Sequence, residues 1–527
     1  MAIKNRITQF ICSIGARNEV QHAAKTQHVP EDEKHSITST FSEVTETYRA
    51  APHTKLLDRW LDNVVAFSGS TFMFFAILTG LLVWGLLGVP FSGGQDWQVG
   101  ISDMQAILNL VFDSLLMRQQ LNTHHDALVV SCAMRSRTAS QKRMLRALVA
   151  ARARNESAIA TPEQLRALGP ASFDTNLPSE SLLGKICTAV SIFSGHILTV
   201  AGFWICIIIW LSFGQYCGWS SDWLFYINSA TSALMIFLLA FLANIRERHD
   251  KYAATCLDLI YTADAALELK LRAATGDEDP NEVVIIEAPD VGRVQRCINF
   301  YADLVGTLLG IMLLVVVLII WVAIGPVMSF DSDWWLLIGT YAGLIGMNDG
   351  FVLRNVLDDL AKAENAQFES QLFEDEDMMG LASLSSPASR NVAEERGAGK
   401  ASLWWRYLSN LSYRASLKMG WFCSHRYMVI AGFVSIIGLI IGASALEWSL
   451  EGQLLANVPP SIVESFFTLI LITGHNIGDG KRRDELKGIY ERRLALLAWV
   501  DGRSEVYDAV KGEHVGEAEF TVEEISV

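Results

Sequence analysis

Long apolar runs without basic residues alternate with charged stretches along the chain. Four regions contain no Lys or Arg, namely 62–117, 195–245, 300–353 and 427–480. Each region can hold two spanning helices, because one span takes about 20 predominantly apolar residues. The pattern predicts an all-α, polytopic membrane helical bundle of about eight transmembrane helices, near residues 66–88, 98–119, 190–213, 223–245, 302–325, 334–356, 427–447 and 459–479.

An internal repeat groups these spans into pairs. The pattern G-x14-W-x3-G-x7-D-W occurs three times without a gap, beginning at Gly69, Gly195 and Gly306. A fourth, degenerate copy retains W-x3-G at Trp448 and Gly452. Identical spacing indicates repetition of one structural unit, and Trp residues around short loops are typical of the membrane interface. We therefore predict four repeated two-helix hairpins with cytoplasmic helical extensions.

The basic residues indicate the orientation of the hairpins. All 42 Lys and Arg residues lie outside the regions 62–117, 195–245, 300–353 and 427–480, in the tails, in the long connections or at the hairpin ends beside them. Basic residues accumulate on the cytoplasmic side of membrane proteins, so both termini are predicted to be cytoplasmic. The predicted segments are an N-terminal tail (1–60), hairpins (61–121, 187–246, 299–356 and a degenerate 426–480), connections (122–186, 247–298 and 357–425, the last with a flexible linker) and a C-terminal tail (481–527).

The composition supports a membrane protein and argues against several other classes. Hydrophobic residues make up 51% of the 527 residues and charged residues 19%, which favours a membrane protein over a soluble one. The eight Cys residues lack paired spacing, so no disulfide framework is predicted. Because the chain has no phosphate-binding loop or dinucleotide fingerprint, we do not expect ATP to drive its activity directly. No nucleophile and base pair can be read from the spans, so we expect no enzymatic activity; no cofactor and no nucleic-acid partner are expected either.

Polar side chains inside the predicted spans form the candidate site. A charge within a membrane helix costs at least about 2.5 kcal/mol, so each one needs a partner, a cavity or a function. Carboxylate, imidazole and amide ligands suit divalent ions such as Fe(II), Zn(II) and Mn(II). The candidate ligands are Asp103 and Glu464 on the outer approach, Asp113, Asn348, Asp349 and His475 in a deeper layer, and Asp479 on the same helix face as Glu464. Polar contacts that merely hold helices together are the alternative explanation.

The third loop, from Trp321 through Gly325 and Pro326 to Phe330 and Trp334, resembles that of the low-affinity iron permease family. The segment 227–250 is similar to another run of that family, and the likeness covers roughly residues 55–500. The resemblance implies low-affinity uptake of divalent metal at the plasma membrane, chiefly Fe(II), with Zn(II), Mn(II) or Cu as open alternatives. The concentration gradient and membrane potential would drive it. A cation channel and a membrane scaffold acting through its cytoplasmic helices are the competing hypotheses, and a homo-oligomer is compatible with each.

Overall fold

The computed structural model describes residues 15, 17–29, 55–90, 94–154, 164–165, 168, 173–174, 177–330, 332–384 and 403–502. The predicted linker and most of both tails lie outside these ranges. Strands β1 (Val20–His22) and β2 (Val284–Ile286) pair antiparallel. The helices are α1 (Leu56–Ser68), α2 (Thr71–Leu87), α3 (Gln95–Ala153), α4 (Leu182–Ser194), α5 (Ile197–Gly214), α6 (Ser221–Thr275), α7 (Arg293–Gly306), α8 (Leu308–Ile324), α9 (Ser332–Leu381), α10 (Leu403–Ser424), α11 (Arg426–Ala445) and α12 (Leu450–Val500).

Four long helices, α3, α6, α9 and α12, form the centre of the fold. They pack in a ring, in which α3 contacts α6, α6 contacts α12, α12 contacts α9, and α9 contacts α3. They contain 59, 55, 50 and 51 residues, whereas a bilayer core about 30 Å thick takes only about 20. Each long helix therefore continues well beyond a membrane, as the sequence predicts for the helical extensions.

Short helices precede the outer apolar helices, where the sequence predicts unbroken spans. The α1–α2 pair bends by 55° and the α7–α8 pair by 65°. The first glycine of the repeat lies at the break, because Gly69 and Gly195 cap α1 and α4, and Gly306 ends α7. Ser70 and His196 then cap the next helices with their side chains. The predicted spans at 66–88, 190–213 and 302–325 are thus each two helices joined at an elbow, our name for this break.

The number of membrane-crossing helices is lower than the predicted eight when judged by length and apolar composition. Five described helices qualify, α3, α5, α6, α11 and α12, and the count rises to seven if each bent pair is one span. Helix α9 does not qualify, because its outer part carries several glycines together with Asn348 and Asp349. The all-helical architecture is confirmed, while eight spans in four hairpins remain a prediction.

The outer helices expose their apolar side chains. None of the 17 residues of α2 is buried, and Trp321 alone is buried in α8. Large hydrophobic side chains such as Phe72, Ile208 and Ile319 are more than half exposed. Apolar surface of this extent needs an apolar neighbour, and a lipid bilayer supplies one.

The repeated tryptophans form one arrangement in the first three repeats, which we call the Trp clasp. The ring pairs are Trp84–Trp97, Trp210–Trp223 and Trp321–Trp334, with centroids 4.2, 3.8 and 4.3 Å apart and nearly parallel planes. In every pair each indole Nε1 donates to the backbone carbonyl of the other Trp. The clasp satisfies both indole donors and ties the outer helix to the long helix that follows it.

Amide side chains on the long helices hold the elbows of neighbouring repeats. Asn244 on α6 donates to Gly69 O at the α1–α2 elbow, at 3.0 Å. Asn476 on α12 donates to Ser191 O, just before the α4–α5 elbow, at 2.7 Å. Asn355 on α9 donates to Ser424 O at 2.6 Å, at the corresponding break between α10 and α11. The remaining elbow, at Gly306 between α7 and α8, packs closely against the backbone of Arg118 on α3. Each unit therefore fastens to the next around the ring.

The parts of the long helices beyond the predicted spans enclose a core of apolar and charged side chains. Leu257, Ile260 and Leu486 belong to the apolar cluster there. Arg493 is fully buried and pairs with Asp264 at 2.8 Å and Asp375 at 2.9 Å. This core therefore packs the long helices against one another beyond the predicted spans.

Candidate functional site

A small polar cavity lies among the four long helices. Its volume is about 20 Å³, which is room for roughly one water-sized species. Every long helix contributes to the lining, which includes Asp103 of α3, Asn228 of α6, Gly339 and Gly343 of α9, and Asn457 and Glu464 of α12. The two residues that the sequence predicts for the outer approach, Asp103 and Glu464, are therefore brought together.

Glu464 is the most deeply placed acid of this cavity, with 2% of its surface exposed. Its Oε2 accepts hydrogen bonds from Asn109 Nδ2 at 2.5 Å and Gln105 Nε2 at 3.3 Å. Among the described residues, Glu464 Oε1, Asp103 Oδ2 and Asn457 Oδ1 have no hydrogen-bond donor. Buried acceptors without a donor are rare and call for an explanation. The cavity thus presents spare oxygen acceptors, which is the chemistry that attracts a cation.

Glycines on α9 make room for these acids. A Cβ atom at Gly346 would lie 2.5 Å from Glu464 Oε1, and one at Gly339 would lie 3.7 Å from Asp103 Oδ1. The spacing of Gly339, Gly343, Gly346 and Gly350 places them along one face of the helix. This face lets the carboxyl groups approach the α9 backbone.

A second pair of acids lies between α3 and α9. Asp113 and Asp349 are both buried, and they are near enough to repel each other. Tyr301 of α7 donates its hydroxyl to Asp349 Oδ1 at 2.5 Å and also contacts the side chain of Asn348. The charges of Asp113 and Asp349 are near enough to Glu464 to act on its carboxyl group, so this pair is electrostatically linked to the outer cavity.

His475 and Asp479 have their own partners, near the C-terminal end of the predicted span at 459–479. His475 Nε2 is 3.0 Å from His249 Nδ1, and Asp479 Oδ2 is 3.2 Å from the same nitrogen. In the described contacts His475 thus meets His249 rather than Asp113 or Asp349. Burial, assisted by the positive charge of Arg483, lowers the pKa of His249 to about 4, so its ring is neutral near pH 7.

Sequence reasoning missed one residue in each of the three groups. These are Asn457 in the cavity, Tyr301 beside Asp349 and His249 beside His475. Asn457 lies seven residues, or about two helical turns, before Glu464 on α12, so periodicity could have found it. His249 and Tyr301 lie outside the apolar part of the spans and meet the site only through packing between repeats.

A tight, ready-made metal site is not seen in the described part of the chain. No group of three or more His, Cys, Asp or Glu side chains there is arranged to hold a metal ion. The polar residues instead form a sequence of partial sites. A pathway that conducts an ion needs sites weak enough to release it, so the lack of a tight cluster among these residues does not argue against transport.

Comparison with known proteins places the chain in a family. The sequence profile of the family described as low affinity iron permease matches residues 183–278 and 413–490. The low-affinity iron/zinc ion transport protein of Schizosaccharomyces pombe is 33% identical over 517 residues, covering 94% of this chain and 86% of that protein. The low-affinity Fe(2+) transport protein of Saccharomyces cerevisiae is 32% identical over 552 residues, covering 94% and 98%. No solved structure matches the chain. The resemblance predicted from the loops is confirmed, and the chain is a multi-pass membrane protein that belongs to the low-affinity iron permease family.

Proposed function

We propose that this protein carries out low-affinity uptake of divalent metal, chiefly Fe(II), with Zn(II), Mn(II) or Cu as further candidate substrates. The relatives named for iron and zinc transport support the substrate class. The observation that carries the proposal is the cavity among the long helices, where the buried Glu464 and Asp103 keep oxygen atoms without a donor. A hydrated or partly dehydrated cation complements such oxygens.

The four repeats form one pathway along the axis of the ring. The metal first meets Asp103 and Asn457, then Glu464 with Asn109, and then the Asp113–Asp349 pair. Successive acids spaced along one route let the ion exchange ligands stepwise. The lack of a tight cluster among the described residues suits a low affinity.

The membrane potential is the driving force. A divalent cation moving inward through 100 mV gains about 4.6 kcal/mol, twice the ~2.3 kcal/mol of a single charge. That gain exceeds the cost of passing one weakly binding site, so no coupled reaction is required.

The membrane arrangement is eight spans in the plasma membrane with both termini cytoplasmic. Each elbow pair crosses once, and α9 crosses with its glycine and acid face turned to the ring. The outer helices support this arrangement, because their exposed apolar surface suits lipid. The basic residues support it too, because none lies within 62–117, 195–245, 300–353 or 427–480.

Iron uptake by a variant of the cavity tests the proposal. Metal-starved cells expressing wild type, Glu464→Gln or Glu451→Gln are given radiolabelled Fe(II), and surface protein is quantified in parallel. Glu451 is exposed at the start of the same helix, so it is the matched control. We expect saturable uptake that falls at least tenfold in Glu464→Gln alone.

Other outcomes separate the competing functions. Uptake without saturation and with large ionic current would favour a cation channel over a carrier. Well-expressed wild type that moves no metal would overturn the proposal and favour a scaffold acting through its cytoplasmic helices.

A further inference from the structure

A layer of polar and charged side chains follows the Asp113–Asp349 pair along the long helices. Arg246 of α6 and Gln120 of α3 stand eight residues farther from the second Trp of their repeats than Asp349 does. At a rise of ~1.5 Å per residue, this places the layer about 12 Å beyond the acid pair. It is therefore what an ion would meet next on leaving that pair along the proposed pathway.

The Arg246 side chain reaches toward all three of the other long helices. Its guanidinium donates to Gln120 Oε1 of α3, and its charge acts on Glu364 of α9 and on His475 of α12. In the order of the ring, α9 stands opposite α6. A side chain of α6 that lies near groups on both neighbours and on the opposite helix is close to the axis of the ring.

The charge of Arg246 is buried without a direct counter-ion among the described residues. Arg246 is 5% exposed, and its hydrogen-bond partner Gln120 is a neutral amide. The guanidinium forms no ion pair within the described part of the chain, and Asp250 and Glu364 act on it only from a greater distance. A buried charge that is not paired is costly, so a role other than stability has to explain it.

Two carboxylates farther along the helices can receive this guanidinium. Asp250 is four residues after Arg246 on α6, and residues with that spacing lie on one helix face within reach of each other. Asp250 Oδ2 accepts from Gln119 Nε2 at 3.3 Å and from the Thr123 hydroxyl at 3.4 Å. Glu364 of α9 lies near the same group, because its charge acts on Asp250. A rotamer change is thus enough to turn Arg246 from its amide partner to a carboxylate.

We propose that Arg246 is a specificity-determining residue of the pathway. Its guanidinium stands on the axis as a tethered cation that excludes monovalent cations, and it turns aside to Asp250 when a divalent metal arrives. This inference rests on the proposed function, which supplies the pathway. Coulomb repulsion is proportional to charge, so a divalent ion pushes the guanidinium with twice the force that Na⁺ exerts. Positively charged side chains act as electrostatic barriers to cations in selective pores.

Two separate fluxes into proteoliposomes test this role. Purified full-length protein is reconstituted, an inside-negative potential is imposed, and influx of radiolabelled Fe(II) and of radiolabelled Na⁺ is measured. Wild type should carry Fe(II), with Na⁺ influx near that of protein-free liposomes. We expect Arg246→Gln to raise Na⁺ influx at least fivefold. Arg246→Lys keeps the positive charge, so its Na⁺ influx should lie within twofold of wild type.

The matched control is Arg248→Gln, which removes the same charge two residues farther along α6. Arg248 Nη1 donates to Cys187 Sγ of α4 at 3.1 Å, so this side chain faces an outer helix rather than the axis. Its loss should leave Na⁺ influx within twofold of wild type. The inference is overturned if the two Gln variants raise Na⁺ influx equally, or if neither raises it.

Asp250→Asn tests the second position of the guanidinium. Without the carboxylate Arg246 has no acid to turn to on its own helix, so Fe(II) influx should fall at least fivefold while Na⁺ influx stays low. Adding Asp250→Asn to Arg246→Gln should lower Fe(II) influx no further than Arg246→Gln alone. An equal loss in both backgrounds would show that Asp250 acts independently of Arg246 and would contradict the proposed movement.

Gln120→Glu keeps the test decisive if Arg246→Gln does not fold, as judged by size-exclusion chromatography. A carboxylate in place of the neutral amide would pair with Arg246 and cancel its charge, so Na⁺ influx should rise at least threefold; no rise counts against the barrier. Wild type that carries Fe(II) while Na⁺ influx rises in no variant overturns this inference alone. Na⁺ influx that rises in Arg246→Gln, with no Fe(II) influx in any protein, overturns the proposed function instead.

Discussion

Asn109 of α3 donates from Nδ2 to Glu464 Oε2 of α12 at 2.5 Å, across the centre of the ring. This bond orients the carboxyl group so that its other oxygen faces the cavity. Asn109→Ala removes the main donor, and losing a hydrogen bond to a carboxylate costs about 1.5–3 kcal/mol. We expect the KM for Fe(II) uptake to rise several-fold, measured by radiolabelled uptake at matched surface abundance.

Asn122→Ala is the control for that change, because Asn122 also donates to a carboxylate, Asp62 Oδ1 at 3.1 Å, but lies farther along α3. Equal effects of the two variants on KM would show that Asn109 acts only on stability.

Gly346→Ala should narrow the cavity at the acid itself. The added methyl group would lie 2.5 Å from Glu464 Oε1, so the carboxyl group must turn away. Overpacking of this kind costs about 1–3 kcal/mol. We predict a fall in Fe(II) uptake of at least fivefold with surface expression largely retained.

The matched control for Gly346 lies one turn along α9. A methyl group at Gly350 would meet Phe467 Cβ at 3.6 Å, which is ordinary contact. Uptake by Gly350→Ala should stay near wild type, and a comparable loss in both variants would mean that α9 tolerates no side chain anywhere on this face.

Gly214→Ala should destabilise the second repeat. Its methyl group would lie 2.4 Å from the ring of Trp219, which packs edge-on against the Trp clasp at Trp223. We expect a lower Tm, by several degrees, in thermal unfolding of the purified protein. Gly202→Ala, in the same helix with open space around it, should leave Tm unchanged, and an equal drop there would rule out the clasp as the cause.

Stability should fall as pH rises because of Glu485, in the part of α12 beyond the predicted span. Burial raises the pKa of Glu485 from 4.5 to about 7, although Lys481 opposes the shift. The folded state therefore prefers the protonated acid, so its contribution is present below pH 4.5 and is lost as pH rises through 7. Glu485→Gln should unfold at a higher temperature than wild type at pH 8 and at a similar temperature at pH 5.

The exposed Glu287→Gln provides the comparison for that titration. A Tm difference between wild type and Glu485→Gln that does not change with pH would contradict the assignment to Glu485.

The sequence predicted the parts of the fold that depend on local spacing. The repeated tryptophans and the helical extensions follow from fixed intervals along the chain, whereas the placement of Asp103 and Glu464 on one cavity depends on packing between α3 and α12. The elbows were missed because an apolar run has the same composition whether straight or bent. His249 was missed because its partner, His475, is 226 residues away, and only packing between repeats brings the two rings together.

The elbow contacts have a consequence for how the molecule is built. Each long helix secures the elbow of a neighbouring unit, and following these attachments passes through all four units and returns to the first. Such head-to-tail contacts close a ring when the rotation between units is a quarter turn. If each predicted hairpin is counted as one unit, the single chain has the connectivity of a cyclic tetramer whose subunits are covalently joined. Once joined, each quarter is free to acquire different side chains, which is how one ring can carry acids in three quarters and Asn228 in the remaining one.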